Sequence, residues 1–180
     1  MRYPRLRALL TAPILFLTGC AGVSPEAYVA ERPTLDLHEY FNGRVDAWGY
    51  FADRSGRVVR RFAVEIEGTT QGDTLVLDER FTYSDGTSSR RVWTIVRIDA
   101  HRYSGTAGDV VGNASGIAYG NALRWRYVLA LPVGERTYNV DFDDWMYLQD
   151  GGVMLNKSIM KKFGFRLGEV NLAFVRRTPS

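Results

Sequence analysis

The chain has 180 residues, enough for one domain and marginal for two. Apolar residues make up 46 %, which fits a packed globular core and argues against disorder. The formal charge of +3 is misleading: Arg2, Arg5 and Arg7 sit in a leader without acids, and without them 20 basic residues face 20 acidic ones. The remainder is near neutral and lacks the basic footprint of a nucleic-acid binder. One cysteine excludes a disulfide-stapled domain, so packing must hold the fold together.

Met1–Arg7 form a positively charged start, and Ala8–Leu17 form a short apolar run. That run is about half of the roughly 20 residues that a membrane-spanning helix needs, so residues 1–19 are read as a cleavable signal peptide. The next residues, Leu17-Thr18-Gly19-Cys20, resemble the lipobox of bacterial lipoproteins. The resemblance implies a diacylglyceryl group on the Cys20 thiol, cleavage before Cys20 and acylation of the new terminus. Each buried methylene contributes about 0.8 kcal/mol, so several chains hold where one is marginal. Ala21, where inner-membrane lipoproteins resembling this one would carry Asp, implies the outer membrane facing the periplasm. Ala21–Leu37, with Gly22, Ser24, Pro25 and Pro33, is read as a flexible tether, giving a lipidated segment over residues 20–37 and a domain over residues 38–180.

Short runs of alternating polarity fill that domain. Strands are expected near Arg44–Ala52, Arg57–Thr69, Thr74–Tyr83, Ser89–Asp99, His101–Val111, Ser115–Tyr119, Ala122–Leu131, Arg136–Leu148, Val153–Lys162 and Glu169–Arg176. Turn signals separate them, with Asp85-Gly86 the strongest hairpin mark. Helices are expected only as short pieces around Ser24–Ala30 and Leu37–Phe41. About ten sequential antiparallel strands must hide their edges, and closing into a barrel does so. The expected fold is an all-β, antiparallel barrel of eight to ten strands, with a two-sheet sandwich as the alternative. Gly108, Gly112, Gly116 and Gly120 recur every fourth residue and are read as bends in a curving sheet.

Several of these segments together are similar to domain-of-unknown-function family 3833, lipoproteins of Gram-negative bacteria. The similarity runs from about Phe41 to Phe174. It rests on Phe41-Asn42-Gly43, the run Leu77–Gly86, Arg91-Val92-Trp93, Gly120-Asn121-Ala122, Asp143-Asp144-Trp145-Met146, Asn156 and Lys162-Phe163-Gly164. The resemblance implies a lipocalin-like, calycin-type barrel in the cell envelope. It implies no established activity.

Two acids stand among apolar neighbours. Glu79 shares a strand face with Leu75, Leu77, Phe81 and Tyr83, and its partner across the hairpin is Arg91 or Arg90, depending on register. Such a pair either anchors a ligand headgroup or is a buried, register-fixing ion pair. Asp144 lies on the face of Val140, Phe142, Met146 and Leu148; with Asp143 and Lys162 it would form a second polar cluster near the mouth. Trp93, Trp125, Tyr127, Phe142 and Phe174 are candidates for a ligand cavity or for plain core.

His38 and His101 stand alone without cysteine ligands, so neither a metal site nor a cofactor is expected. No serine elbow, phosphate loop or dinucleotide fingerprint occurs, so the chain is not read as an enzyme. Three roles remain. One is a membrane-anchored binder of a small apolar or lipid ligand. Another is an interaction protein with a filled barrel and an unknown protein partner. The last is an enzyme built on Glu79 or Asp144. An apolar-lined cavity of a few hundred cubic ångströms would favour the first.

Overall fold

The alternating runs become ten antiparallel strands in a computed structural model that describes residues 22–177. The leader and Cys20 lie outside the described residues. The strands are β1 (Gly43–Asp53), β2 (Val58–Gln71), β3 (Thr74–Tyr83), β4 (Ser88–Arg97) and β5 (Arg102–Ala107). They continue as β6 (Ala114–Tyr119), β7 (Ala122–Val133), β8 (Arg136–Leu148), β9 (Val153–Lys162) and β10 (Phe165–Arg176). Each strand pairs with the next, and β10 returns to β1, closing a barrel. Closure leaves no unpaired edge, which rules out the two-sheet sandwich. The β1–β10 seam runs in unbroken register from Val45 opposite Arg176 to Asp53 opposite Gly168.

Inward positions carry the core: Val45 and Ala47 on β1, Val64 and Ile66 on β2, Leu75 and Leu77 on β3, Trp93 and Ile95 on β4. Leu123, Trp125 and Leu129 on β7, Val140 and Phe142 on β8, and Met154 and Met160 on β9 complete the ring. Alternate residues face outward and bear the charges, as in Arg80 and Arg90.

β5 is shorter than the expected His101–Val111. The chain leaves its pairing with β4 after Ala107, turns through Gly108–Asn113, where Val110 bridges Leu129 on β7, and continues as β6. Of the four spaced glycines, Gly112 and Gly120 take the left-handed backbone conformation, at φ 70° and 53°. Gly116 has a different task, because a Cβ there would lie 2.4 Å from the Trp125 ring; the bare backbone makes room for the indole.

One end of the barrel is sealed. A single helical turn, α1 (Leu37–Tyr40), sits across it with Leu37, Tyr40 and Phe41 buried. Asp36 caps the turn by accepting from the backbone N–H groups of His38 (2.8 Å) and Glu39 (3.1 Å), and Arg97 at the end of β4 donates to its carboxylate at 2.7 Å. Thr70 Oγ1 donates to the His38 carbonyl and Tyr40 donates its hydroxyl to the Gly152 carbonyl, tying the cap to two hairpins.

The expectation of a flexible tether is corrected by the described part of that segment. Pro25–Asp36 is laid against the barrel, while Gly22–Ser24 is exposed. A 3-10 turn at Pro25–Tyr28 packs Tyr28 against Trp145 and Tyr147, and the Leu35 N–H donates to the Gly120 carbonyl at 2.8 Å. Gly120 has no room for a side chain, since a Cβ would lie 1.7 Å from the Tyr28 carbonyl oxygen. Composition rich in Pro, Gly and Ser marks irregular backbone and does not decide whether that backbone is docked.

Candidate functional site: the barrel cavity

The closed end and the ring of inward side chains enclose a cavity of about 370 Å³. It reaches from Leu37 and Phe41 at the sealed end to Arg60, Tyr83 and Leu131 at the other. The lining is buried near α1 and partly exposed at Phe62, Phe81 and Tyr83, so the cavity opens at the end formed by the β1–β2, β3–β4, β7–β8 and β9–β10 hairpins. Around that mouth the β9–β10 hairpin exposes Phe163 and Phe165, at 84 % and 76 %.

Aromatic rings form much of the wall. Trp93 meets Trp125 edge-on at 5.7 Å and Tyr127 at 5.4 Å, and Tyr127 stacks on Phe142 at 4.9 Å. Trp125 lies along the short strands β5 and β6, where Gly105 and Gly116 leave space for its ring. These contacts fix the rings, so the surface they offer a ligand is preformed.

A polar cluster interrupts this wall at mid-height. Glu79 on β3 stands opposite Arg91 on β4, which resolves the register question in favour of Arg91. Arg90 faces outward and donates to Asp78 at 2.7 and 3.0 Å. The expected ion pair between Glu79 and an arginine is not formed. Arg91 instead donates to Asp109 in the β5–β6 loop, with Nε and Nη2 at 3.0 and 2.8 Å. Glu79 is left facing the cavity without a hydrogen bond, and loss of hydration raises its carboxyl to about 7, against the smaller opposing pull of the Arg91 cation.

Across the lumen, Asp144 on β8 stands between Trp125 on β7 and Ser158 on β9. The Ser158 hydroxyl donates to one of its oxygens. Burial raises the Asp144 carboxyl to about 7 as well, opposed by the Ser158 hydrogen bond and the Arg91 charge. The Tyr127 hydroxyl, buried among these acids, is pushed well above its ordinary value.

Of the residues singled out from sequence, Glu79, Arg91, Trp93, Trp125 and Asp144 line the cavity, together with Tyr127, Phe142 and Phe174. Lys162 does not. It has inward parity but is the last residue of β9, beyond the cavity, and its Nζ donates to the Asn139 carbonyl at 3.0 Å. Asp143 faces outward and takes two hydrogen bonds from Arg124, so no cluster of Asp143, Asp144 and Lys162 exists. Sequence reasoning missed Arg60, Asp109 and Ser158. The alternation Met154, Asn156, Ser158, Met160 places Ser158 inward; nothing local marks Asp109.

His38 and His101 both lie at the sealed end, each near a backbone carbonyl oxygen at 3.0 Å. Among the described residues no group of three His, Cys, Asp or Glu side chains is placed to hold a metal ion. Among the described residues, no helix is long and apolar enough to cross a membrane.

Comparison with known proteins agrees with this architecture. The model of a family described as a protein of unknown function, DUF3833, matches residues 14–176. None of the curated proteins matches the chain. Among solved structures, the S-type phycobiliprotein lyase CPES from Guillardia theta is similar, with a TM-score of 0.59 over 80 % of this chain and 92 % of that one. Identity is 8 %, so this likeness shows a shared lipocalin-like barrel and nothing of the chemistry.

Proposed function

This chain belongs to the family of unknown function DUF3833, and we propose that it is a lipid-anchored binding protein whose barrel holds a small, largely apolar ligand. The observation that carries this reading is the preformed cavity of about 370 Å³, within the size range of small-molecule sites and lined mostly by aromatic and aliphatic side chains. A barrel with the filled-core role would have closed that space, because voids in a packed interior forfeit contacts. The wall supplies hydrophobic transfer, and the few polar groups at mid-height supply orientation. Among the described residues no serine–histidine pair forms at the cavity, since the Ser158 hydroxyl donates to Asp144 and both histidines lie at the sealed end; the proposed role is binding.

Native mass spectrometry of the protein purified gently from membranes, followed by solvent extraction, tests the reading. A bound mass that appears in the organic extract is the expected result. Protein that emerges empty and takes up no apolar probe sinks it.

Attachment rests on Leu17-Thr18-Gly19-Cys20 and the leader before it. In this reading acyl chains on Cys20 hold the domain at the periplasmic face of the outer membrane. Replacing Cys20 with Ser should move the protein from membrane to soluble fractions and abolish palmitate labelling. Retention in the membrane would overturn the anchor and leave the cavity untouched.

The second role, a surface that meets a protein partner, draws support from the exposed Phe163 and Phe165 on one hairpin. Crosslinking from a photoreactive group at position 163 in intact envelopes would reveal such a partner.

A further inference from the structure

Four charged side chains line the cavity: Arg60, Glu79, Arg91 and Asp144. Their partners are unevenly distributed. Arg60 is held by Asp85 at 2.8 Å and lies 3.6 Å over the Tyr83 ring. Arg91 is held by Asp109. Both cations are therefore neutralised by acids at the edge of the lumen. Neither cavity acid is neutralised in the same way. Glu79 makes no ion pair or hydrogen bond with a described residue, and Asp144 receives one serine hydroxyl.

The surroundings of these two acids are aromatic. Phe81 is two residues from Glu79 on the inner face of β3, and Phe142 is two from Asp144 on β8. Trp125 is the direct cross-strand neighbour of Asp144, and Tyr127 stacks on Phe142. Ring faces attract cations, and rings set beside acids are how proteins bind quaternary ammonium groups. Once the two acids are ionised, an anionic head would find them opposed only by Arg91, which Asp109 already holds, an arrangement that repels it in a medium of low dielectric constant.

Resting on the ligand-binding reading above, we infer that the cavity selects amphiphiles with a positively charged nitrogen head, seated between Glu79 and Asp144 with its tail along the apolar wall. The groups facing the two acids are Arg91 on β4, Asp109 in the β5–β6 loop, Tyr127 on β7 and Ser158 on β9, while β2 presents Ile66 to Glu79. A cation favours the ionised acids, so it enters most readily once both have lost their protons. Affinity for it therefore rises with pH through about 7.

Competition against a fluorescent apolar probe, with the full-length protein in detergent, tests the assignment using decyltrimethylammonium, decanoate and decanol. The ammonium head does not titrate, so any pH effect on it belongs to the protein. At about pH 8 it should bind on the order of tenfold more tightly than either competitor, and this advantage should shrink about tenfold by about pH 5.5. The double variant Glu79→Gln, Asp144→Asn should lose both the preference and the pH dependence, with circular dichroism and a thermal melt reporting that it folds. Decanoate or decanol matching the ammonium compound, or a preference that survives in the double variant, overturns the head-group assignment and leaves the binder intact. A bound probe that none of the three amphiphiles displaces overturns this inference alone, and a probe that never binds defeats the binding reading and this inference with it.

Discussion

Asp78 and Glu79 are neighbours on β3, and Asp143 and Asp144 are neighbours on β8, yet within each pair the two acids live under opposite rules. The outward acids are saturated. Asp78 takes two hydrogen bonds from Arg90, and Asp143 takes two from Arg124. The inward acids face a low-dielectric lumen with one serine hydroxyl between them. On the outside, water already solvates each charge and an arginine adds little. On the inside, a missing partner leaves the carboxyl to lose its proton late. On the proposed reading, such groups serve a cavity that waits for a ligand.

The largest effect expected from disturbing this contrast comes from Arg91, the cavity cation across the hairpin from Glu79. Arg91→Ala leaves Asp109 without its partner beside Glu79 and should cost about 3 kcal/mol, at the low end for broken buried pairs because Asp109 is partly exposed. Urea denaturation near neutral pH measures it, and a loss below about 1 kcal/mol would mean that water already satisfies the cluster.

A pH series comes next. A carboxyl raised in the fold binds its proton more tightly folded than unfolded. Its stabilising contribution is full below the ordinary carboxylate range and is lost as pH rises through about 7. Unliganded protein should therefore weaken between about pH 5 and pH 8, on the order of 2 kcal/mol from the two inner acids. Thermal melts of the wild type and the Glu79→Gln, Asp144→Asn variant across that window separate this slope from that of all other groups. A slope unchanged in the variant would place the proton elsewhere.

Glu79→Gln alone should stabilise the unliganded protein by about 1 kcal/mol at about pH 8, since it deletes a charge that the lumen resists. Calorimetry at that pH checks the sign, and destabilisation would show that Glu79 is paired. The smallest effect belongs to the outer face. Arg90→Ala should change stability by about 0.5 kcal/mol or less, because the Arg90 side chain is 63 % exposed. A cost comparable to that of Arg91→Ala would erase the distinction between the two faces.

Much of this was legible before any coordinates. Alternation located all ten strands because the pleat repeats every two residues, and it named Glu79 and Asp144 as inward acids for the same reason. What escaped depended on distances that alternation does not encode. Whether rings from opposite walls meet or leave a void depends on barrel diameter, which follows from strand number and stagger. Asp109 sits in a loop 18 positions beyond Arg91, so its capture of that guanidinium is a tertiary event without a local mark. Lys162 had the correct parity and failed only because β9 ends there, and strand ends are where periodicity is weakest. Turn-forming residues look alike whether they hang free or lie in a groove, so the segment before α1 reads in sequence as a tether.

The docked start of the chain has a consequence for traffic. Pro25–Asp36 crosses the base of the vessel, where α1 forms its floor, while the opening lies at the far rim. At about 3.3 Å per residue and a tilt near 40°, the staves between floor and rim stand roughly 25–30 Å tall. In the proposed reading, an anchor at Cys20 would hold the cup by its foot, and a ligand would enter and leave on the side turned away from the membrane.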